Sequence, residues 1–321
     1  MTGSYVPPSL ADSKMARISP GLRRAAVASI AALVAMGIAL AVIAQWDQFP
    51  DVDLRFAPGW AALAVLGFLA SELTHAALWR VVLGRLGGRI EPLDGLRVWC
   101  LSSLGRYLPP GVLMPAIRVA GASAAGVAAR ISIASMAYEG VLSVLGALMV
   151  STLLLTEVSD MTPVIVGAAA AVILVIALHP RVFARLANAA LRRLGRDDLP
   201  TVLEGRVIAP LALAYAASFA LVGLGVYATA EALHPVDASV LPVAVASFSV
   251  GFLISLAAFF VPGGLGVREA GLAGVLSLVM PFDLALAVSV AVRLVQIALE
   301  LLLAGVTTLL ARRGSSPAPS A

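Results

Sequence analysis

The sequence predicts an all-α protein, a polytopic transmembrane helix bundle of about eight spans with at least one re-entrant broken segment. Of its 321 residues, 60% are hydrophobic and 12% are charged. A soluble domain is about 45–50% apolar and about 25% charged. The mean hydropathy of +0.99 therefore argues against an ordinary soluble domain and favours helices that cross a membrane.

A set of long apolar runs predicts the membrane spans. They lie at 25–45, 59–80, 131–155, 162–179, 208–230, 239–261, 266–281 and 284–311. The first run is too long for the apolar part of a signal peptide, so we expect it to be an uncleaved span. Residues 1–24 then form a cytoplasmic N-terminal tail, 25–311 the transmembrane domain, and the Pro/Ser-rich 312–321 a disordered cytoplasmic tail.

Positive and negative charges are divided between alternating loops. Arginines cluster at 80–97 and 181–206, whereas the loops at 47–53 and 231–237 are acidic. Cytoplasmic loops carry an excess of Lys and Arg, so this alternation predicts that both termini are cytoplasmic. The same rule explains the net charge of +4 without nucleic acid as a partner. Eight spans are compatible with two cytoplasmic termini only if the broken apolar region at 95–119 enters and leaves on the cytoplasmic side.

The stretch "SSLGRYLPPGVLMPAIR" breaks this region with Pro109, Pro110, Gly111 and Pro115. Prolines at that density cannot continue a helix. Irregular backbone at membrane depth is tolerated only where protein buries it or where it lines a polar cavity. A re-entrant segment is therefore expected, and the alternative is an ordinary cytoplasmic loop between two short helices.

A second broken stretch repeats part of this pattern. The sequence "SSLGRYLPPGV" at 102–112 aligns without gaps with "SLAAFFVPGGL" at 255–265. The matched pairs are Ser102 with Ser255, Tyr107 with Phe260, Pro109 with Pro262, and Gly111 with Gly264. Transporters often carry two broken helices, one in each half, that point to the binding site. The alternative is a chance match between two short stretches of biased composition.

The stretch "VPGGLGVREAG" predicts a break followed by a helix that begins near Val267. Pro262 ends the preceding helix, and Arg268 and Glu269 fall in the first turn of the next one. Free N–H groups at that end favour an anion such as phosphate, and the arginine adds a bidentate donor. The glycines expected to let a ligand approach the backbone are Gly263, Gly264 and Gly266.

Two functions are open for the charged pair in this stretch. In the first, Arg268 binds an anion while Glu269 orients an arginine or carries a proton. In the second, the stretch is a tight cytoplasmic turn whose arginine follows the positive-inside rule and whose glutamate caps the helix.

Further charges interrupt the apolar runs and are candidates for a functional site. They are Glu72, Glu139, Arg293 and Glu300. Charges inside spans are costly and normally face the bundle interior or water. Arg293 and Glu300 are seven residues apart and therefore share one face of a helix. Glu139 could pair with Arg118 or with Arg130, and the alternative function of the whole set is to fix helix packing through structural ion pairs.

The sequence gives no signal for metal, cofactor or nucleotide chemistry. The three histidines are not spaced as metal ligands, and the single cysteine, Cys100, excludes an internal disulfide. No Walker A pattern is present. We therefore expect no cofactor, no metal and no catalytic residue.

Two motifs resemble those of the lysylphosphatidylglycerol synthase transmembrane-region family. "GRYLPPGVLMPAIR" at 105–118 is similar to the family's "GKYLPG…R" segment, and "VPGGLGVREAG" at 261–271 is similar to its "PGGLGxRE" segment. Glu139 follows the first motif in a "YEG" context, which is also similar to the family. The sequence departs from the pattern at Arg106, where lysine is common, and at "PPG", where "PG" is usual.

The resemblance implies a polytopic plasma (inner) membrane protein with flippase-like activity toward lipids or lipid-linked sugars. Only ten residues follow the last predicted span, so we expect no soluble aminoacyl-transferase domain and do not carry over that activity. The expected substrate is an anionic phospholipid or a polyprenyl-phosphate-linked sugar. The substrate-binding candidates are Arg106, Tyr107, Pro109, Gly111, Arg118, Glu139, Pro262, Gly263, Gly264, Gly266, Arg268, Glu269 and Arg293.

Two other classes of protein remain as alternatives. One is a non-transporting membrane partner or scaffold of a cell-envelope glycosyltransferase or other synthase. The other, which the missing nucleophile and metal set disfavour, is an enzyme that modifies a lipid within the membrane.

Overall fold

The computed structural model describes residues 55–107, 113–154, 161–257 and 266–314, with side chains described as far as 311. Within these ranges the chain is all-α and contains no strand, which confirms the predicted fold class. The predicted span at 25–45, the N-terminal tail at 1–24 and residues 315–321 of the C-terminal tail lie outside the described residues.

Ten α-helices make up the described part of the chain. They are α1 (Pro58–Arg85), α2 (Pro92–Ser103), α3 (Leu113–Ala124), α4 (Ala129–Ser151), α5 (Thr162–Leu178), α6 (Pro180–Arg193), α7 (Gly205–Leu233), α8 (Leu241–Ala257), α9 (Val267–Leu276) and α10 (Phe282–Gly314). Short 3-10 turns lie at Leu104–Tyr107, Thr152–Leu154 and Ala238–Val240.

Five helical segments in the described ranges are long and apolar enough to cross a membrane. They are Pro58–Arg85, Ala129–Leu154, Gly205–Leu233, Ala238–Leu256 and Phe282–Ala311. A sixth is possible if α5 and α6, which are bent by 78° relative to each other, form one span. The chain is therefore a multi-pass membrane protein.

One predicted span is wrong. The segment 266–281 contains α9, which has ten residues and is about 15 Å long. The hydrocarbon core of a bilayer is about 30 Å thick, so α9 cannot cross it. The apolar run predicted the segment correctly as helical, but the helix ends at Leu276, well short of a span.

Small residues bring α1 and α7 close together. A β-carbon on Gly67 would lie 3.1 Å from the Leu221 carbonyl oxygen and 3.2 Å from the Gly225 Cα. One turn further along α1, the Ser71 hydroxyl lies 3.0 Å from the Ser218 hydroxyl. Small residues and cross-helix hydrogen bonds replace the hydrophobic driving force that lipid cannot supply.

The first broken region folds as an antiparallel hairpin of α2 and α3. A β-carbon on Gly105 would lie 2.9 Å from the Met114 Cα, and one on Gly121 would lie 2.9 Å from Val98. Each arm has twelve residues and is about 18 Å long, too short to span a bilayer. Two short antiparallel helices fit both a re-entrant segment and two short helices joined by a cytoplasmic loop, so the re-entrant segment stays a prediction, and 108–112 lie outside the described residues.

The two helices that flank the second broken region, α8 and α9, also pack closely on each other, while 258–265 between them lie outside the described residues. A β-carbon on Gly251 of α8 would lie 2.9 Å from the Arg268 carbonyl oxygen of α9, and one on Gly271 would lie 3.1 Å from Ile254. These contacts place α9 antiparallel to the end of α8. The aligned serines Ser102 and Ser255 each donate to the carbonyl three residues earlier, at 2.8 and 2.6 Å, a bond that other helical serines of the chain also make. The internal repeat therefore stays a prediction.

Gly223→Ala tests the close packing of α7 on α8. The added β-carbon would overlap the Val245 backbone, which cannot move as a side-chain end can. We expect a loss of about 1–3 kcal/mol or more in the free energy of unfolding, measured by SDS titration in mixed micelles. Gly140→Ala is the matched control because no heavy atom lies within 4 Å of its added β-carbon. Equal stability of the two variants would contradict this packing.

Candidate functional site

Arg118 is buried and contacts a carboxylate, a hydroxyl and an aromatic ring, while its Nη2 has no hydrogen-bond partner among the described residues. Its Nη1 lies 2.6 Å from the Glu139 Oε2, and its Nε donates to the Ser102 hydroxyl at 2.9 Å. The guanidinium carbon lies 4.1 Å from the centre of the Trp99 ring. With a side chain that is 0% exposed, Arg118 fastens α3 to both α2 and α4.

The sequence left two partners open for Glu139, and the structure selects Arg118. Arg130 instead forms an ion pair at 3.2 Å with Asp197, whose side chain is 91% exposed. The predicted structural ion pair is therefore present at Arg118. In this conformation the Arg118 charge is already neutralised, so it is not presented to a ligand.

The 3-10 turn Leu104–Tyr107 docks the first hairpin on α10. The Arg106 Nη1 lies 3.6 Å from the Glu300 Oε1, and its Nε donates to the Ser103 carbonyl at 3.0 Å. The guanidinium carbon of Arg293 lies 5.1 Å from the centre of the Tyr107 ring. Arg293 and Glu300 thus both face the first hairpin, as their spacing of seven residues predicts.

Glu269 both caps α9 and pairs with an arginine. Its Oε2 accepts the Gly266 backbone N–H at 2.7 Å, and its Oε1 lies 3.1 Å from the Arg293 Nε. Gly266 has a φ of +83°, a conformation that favours glycine. The helix begins at Val267, as predicted. The two functions considered for the glutamate, capping and pairing, therefore coexist.

Arg293 is the point where the two hairpins meet the same helix. It contacts Tyr107 of the first hairpin and Glu269 of the second. A further bond ties α9 to α10, because the Ser289 hydroxyl donates to the Glu269 carbonyl at 2.9 Å. The broken segments are thus joined through one face of α10.

Arg268 differs from the other three candidate arginines. Its guanidinium carbon lies 4.0 Å from the centre of the Phe248 ring, a cation–π contact. Within the described ranges, no carboxylate lies at ion-pair distance from it. Its side chain is half-buried. Arg268 is therefore the candidate arginine whose charge is available to an incoming anion.

A narrow cavity lies beside Arg268. It is lined by Phe248, Arg268, Glu269, Ser289, Arg293 and Gln296, among others. Its volume of about 10 Å³ holds roughly one water molecule. A lipid phosphate can enter this space only if the elements around it move apart.

Some of the predicted residues cannot be placed. Pro109, Gly111, Pro262, Gly263 and Gly264 lie outside the described residues, so their roles stay predictions. In the ranges that are described, no group of three or more His, Cys, Asp or Glu side chains is placed to hold a metal ion.

Sequence reasoning missed three features. The first is the stacking of Arg118 on Trp99 and of Arg268 on Phe248. Each ring lies on another helix than its arginine, so no local sequence pattern indicates the contact. The His75 Nδ1 lies 2.6 Å from the Ser218 hydroxyl, between α1 and α7. A cavity of about 520 Å³ lies at the loop between α1 and α2 and is lined by the charged residues Arg80, Arg89, Glu91 and Asp94. The positive-inside pattern covered only the two arginines, as topology signals.

Arg118→Ala tests whether the buried pair holds the bundle together. Removing Arg118 leaves the Glu139 carboxylate buried without its partner, which costs about 3–5 kcal/mol. We expect a large drop in the free energy of unfolding in an SDS titration. Arg130→Ala removes an arginine from an exposed pair and serves as the control, for which we expect little change. Similar losses in both variants would contradict a special role for the buried pair.

Comparison with known proteins confirms the resemblance carried by the two motifs. The family model described as "Lysylphosphatidylglycerol synthase TM region" matches residues 27–304. No curated protein and no solved structure matches the chain.

Proposed function

Because this chain belongs to the lysylphosphatidylglycerol synthase TM region family, we propose that it moves an anionic lipid between membrane leaflets. The substrate is an anionic phospholipid or a polyprenyl-phosphate-linked sugar, and the chain is not an enzyme. The match to a transmembrane region supports a role in the membrane and in lipid or envelope biology. The family resemblance supports the plasma (inner) membrane, and the basic residues at both ends of the chain, at 14–24 and 312–313, support two cytoplasmic termini. Because 266–281 is too short to cross, this orientation requires an even number of spans among the remaining segments.

The observation that carries this proposal is which of the four candidate arginines have a carboxylate partner and which has none. Arg106, Arg118 and Arg293 each lie within 4.0 Å of a carboxylate, whereas Arg268 has none at that distance among the described residues. A phosphate group supplies the missing negative charge and accepts charge-assisted hydrogen bonds from a guanidinium. Arg268 lies in the first turn of α9, where the free N–H groups also favour an anion.

In this mechanism the paired residues position Arg268 rather than bind the phosphate. Arg293 and Glu269 hold the start of α9 on α10, and Phe248 supports the Arg268 guanidinium. Because the cavity beside Arg268 is too small for a head group, binding is coupled to opening of the second hairpin. That opening gives the transport step its conformational change.

Lipid movement is tested with Arg268→Gln in proteoliposomes. Fluorescent phosphatidylglycerol and a fluorescent polyprenyl-phosphate sugar are assayed separately by chemical quenching of the outer leaflet. We expect the wild type to move one of them and the variant to be roughly 10- to 100-fold slower, because a hydrogen bond to a charged group contributes about 1.5–3 kcal/mol. Arg192→Gln, at an exposed pair with Asp198, is the matched control. No movement of either lipid by the wild type would overturn the proposal.

The rival function is a non-transporting scaffold for a cell-envelope glycosyltransferase or other synthase. The pairing of three arginines with carboxylates favours it, since such pairs also fix helix packing. Native mass spectrometry of the wild type beside Arg268→Ala separates the two. We expect a specific anionic lipid on the wild type that the variant loses. Equal, unselective lipid retention in both proteins favours the scaffold.

A further inference from the structure

A sharp bend separates the helix α6 from the preceding helix α5. It begins at Pro180, directly after His179, and its axis is bent by 78° from that of α5. The helix α5 is strongly apolar, and most of its large side chains are exposed, as expected of a helix in contact with lipid. If α5 crosses the membrane, α6 runs nearly parallel to the membrane surface.

The side chains of α6 divide into three faces at 100° per residue. Phe183 and Leu191 are buried and pack the helix against the bundle. Arg181, Arg185 and Arg192 lie within about 40° of one another on an exposed face. Between these faces, on the flank that the bundle does not cover, Leu186 is 59% exposed. The exposed Arg193 at the end of the helix lies about 20° from Leu186, and its long stem lets the guanidinium reach back to the head groups.

Contacts behind α6 fix which face points outward. The Phe183 ring stacks on the Tyr138 ring with centroids 3.5 Å apart. The Asn188 side-chain oxygen accepts the Leu199 backbone N–H at 2.9 Å, which ties the following loop to the helix. The arginine face therefore stays turned away from the bundle.

The charge of α6 is of one sign. The helix carries four arginines and no Asp or Glu. Arg192 is paired with Asp198 at 3.0 Å, whereas Arg181 and Arg185 have no carboxylate at ion-pair distance in the described part of the chain. An in-plane amphipathic helix with arginines on its polar face and leucine on its apolar flank matches an anionic membrane surface in both charge and polarity.

We propose that α6 lies in the head-group layer, where Arg181 and Arg185 bind phosphates of anionic lipids and Leu186 inserts among the acyl chains. The long arginine stems allow the guanidinium groups to reach the phosphates while their carbon atoms stay near the apolar layer. This site is separate from Arg268 and does not depend on lipid transport.

Depth measurement at Leu186 provides the first test. A nitroxide is attached to Leu186→Cys in a Cys100→Ala background, which removes the one native cysteine. The protein is reconstituted in phosphatidylcholine vesicles with and without phosphatidylglycerol. We expect the nitroxide to collide more often with oxygen than with a water-soluble nickel chelate, and phosphatidylglycerol to increase that ratio. A label that favours the nickel chelate in both membranes overturns the proposal and leaves the arginine face for an acidic protein partner.

Arginine variants in the labelled background identify the groups responsible. Arg181→Gln with Arg185→Gln is expected to abolish the increase caused by phosphatidylglycerol, whereas Arg181→Lys with Arg185→Lys keeps the charge and the increase. Arg85→Gln with Arg89→Gln is the matched control, since these exposed arginines are also four residues apart but lie at the last residue of α1 and in the loop after it. An increase that survives the loss of Arg181 and Arg185 overturns the proposal.

Discussion

A charge inside a membrane protein is costly unless an opposite charge lies beside it, and this constraint organises the centre of the bundle. Glu139 neutralises Arg118, Glu300 neutralises Arg106, and Glu269 neutralises Arg293. The Arg106–Glu300 pair joins elements that are distant in sequence, and the other two pairs join consecutive helices, so satisfying the charges also fixes the hairpins against α4 and α10. The contacts that neutralise the buried charges are therefore also contacts that hold the helices together.

Glycine lets several helices around these pairs pack closely. A β-carbon at Gly67, Gly105 or Gly251 would meet backbone atoms of a neighbouring segment within about 3 Å. Where the helices approach this closely, few large side chains fit, and arginine with its flat guanidinium stacks on a ring instead. Trp99 and Phe248 provide such rings, one on the first arm of each hairpin.

Much of this arrangement is predictable from sequence because it depends on local signals. Apolar runs predict the long helices, prolines and glycines predict the breaks, and the spacing of Arg293 and Glu300 predicts their common face. The length of α9 was not predictable from hydropathy, because the apolar run continues past the end of the helix. The partner of Glu139 was also open, since Arg118 and Arg130 both lie near it in sequence and only the fold shows which of them it contacts.

The stack of Tyr138 on Phe183 has a consequence for the interior of the bundle. Tyr138 and Glu139 are consecutive in α4, so their side chains leave the helix about 100° apart. One points to α6 at the periphery and the other to Arg118 at the centre. Rolling α4 about its own axis would separate both contacts together. The contact with α6 thereby helps to fix the orientation of α4 and, with it, the carboxylate that neutralises the buried Arg118.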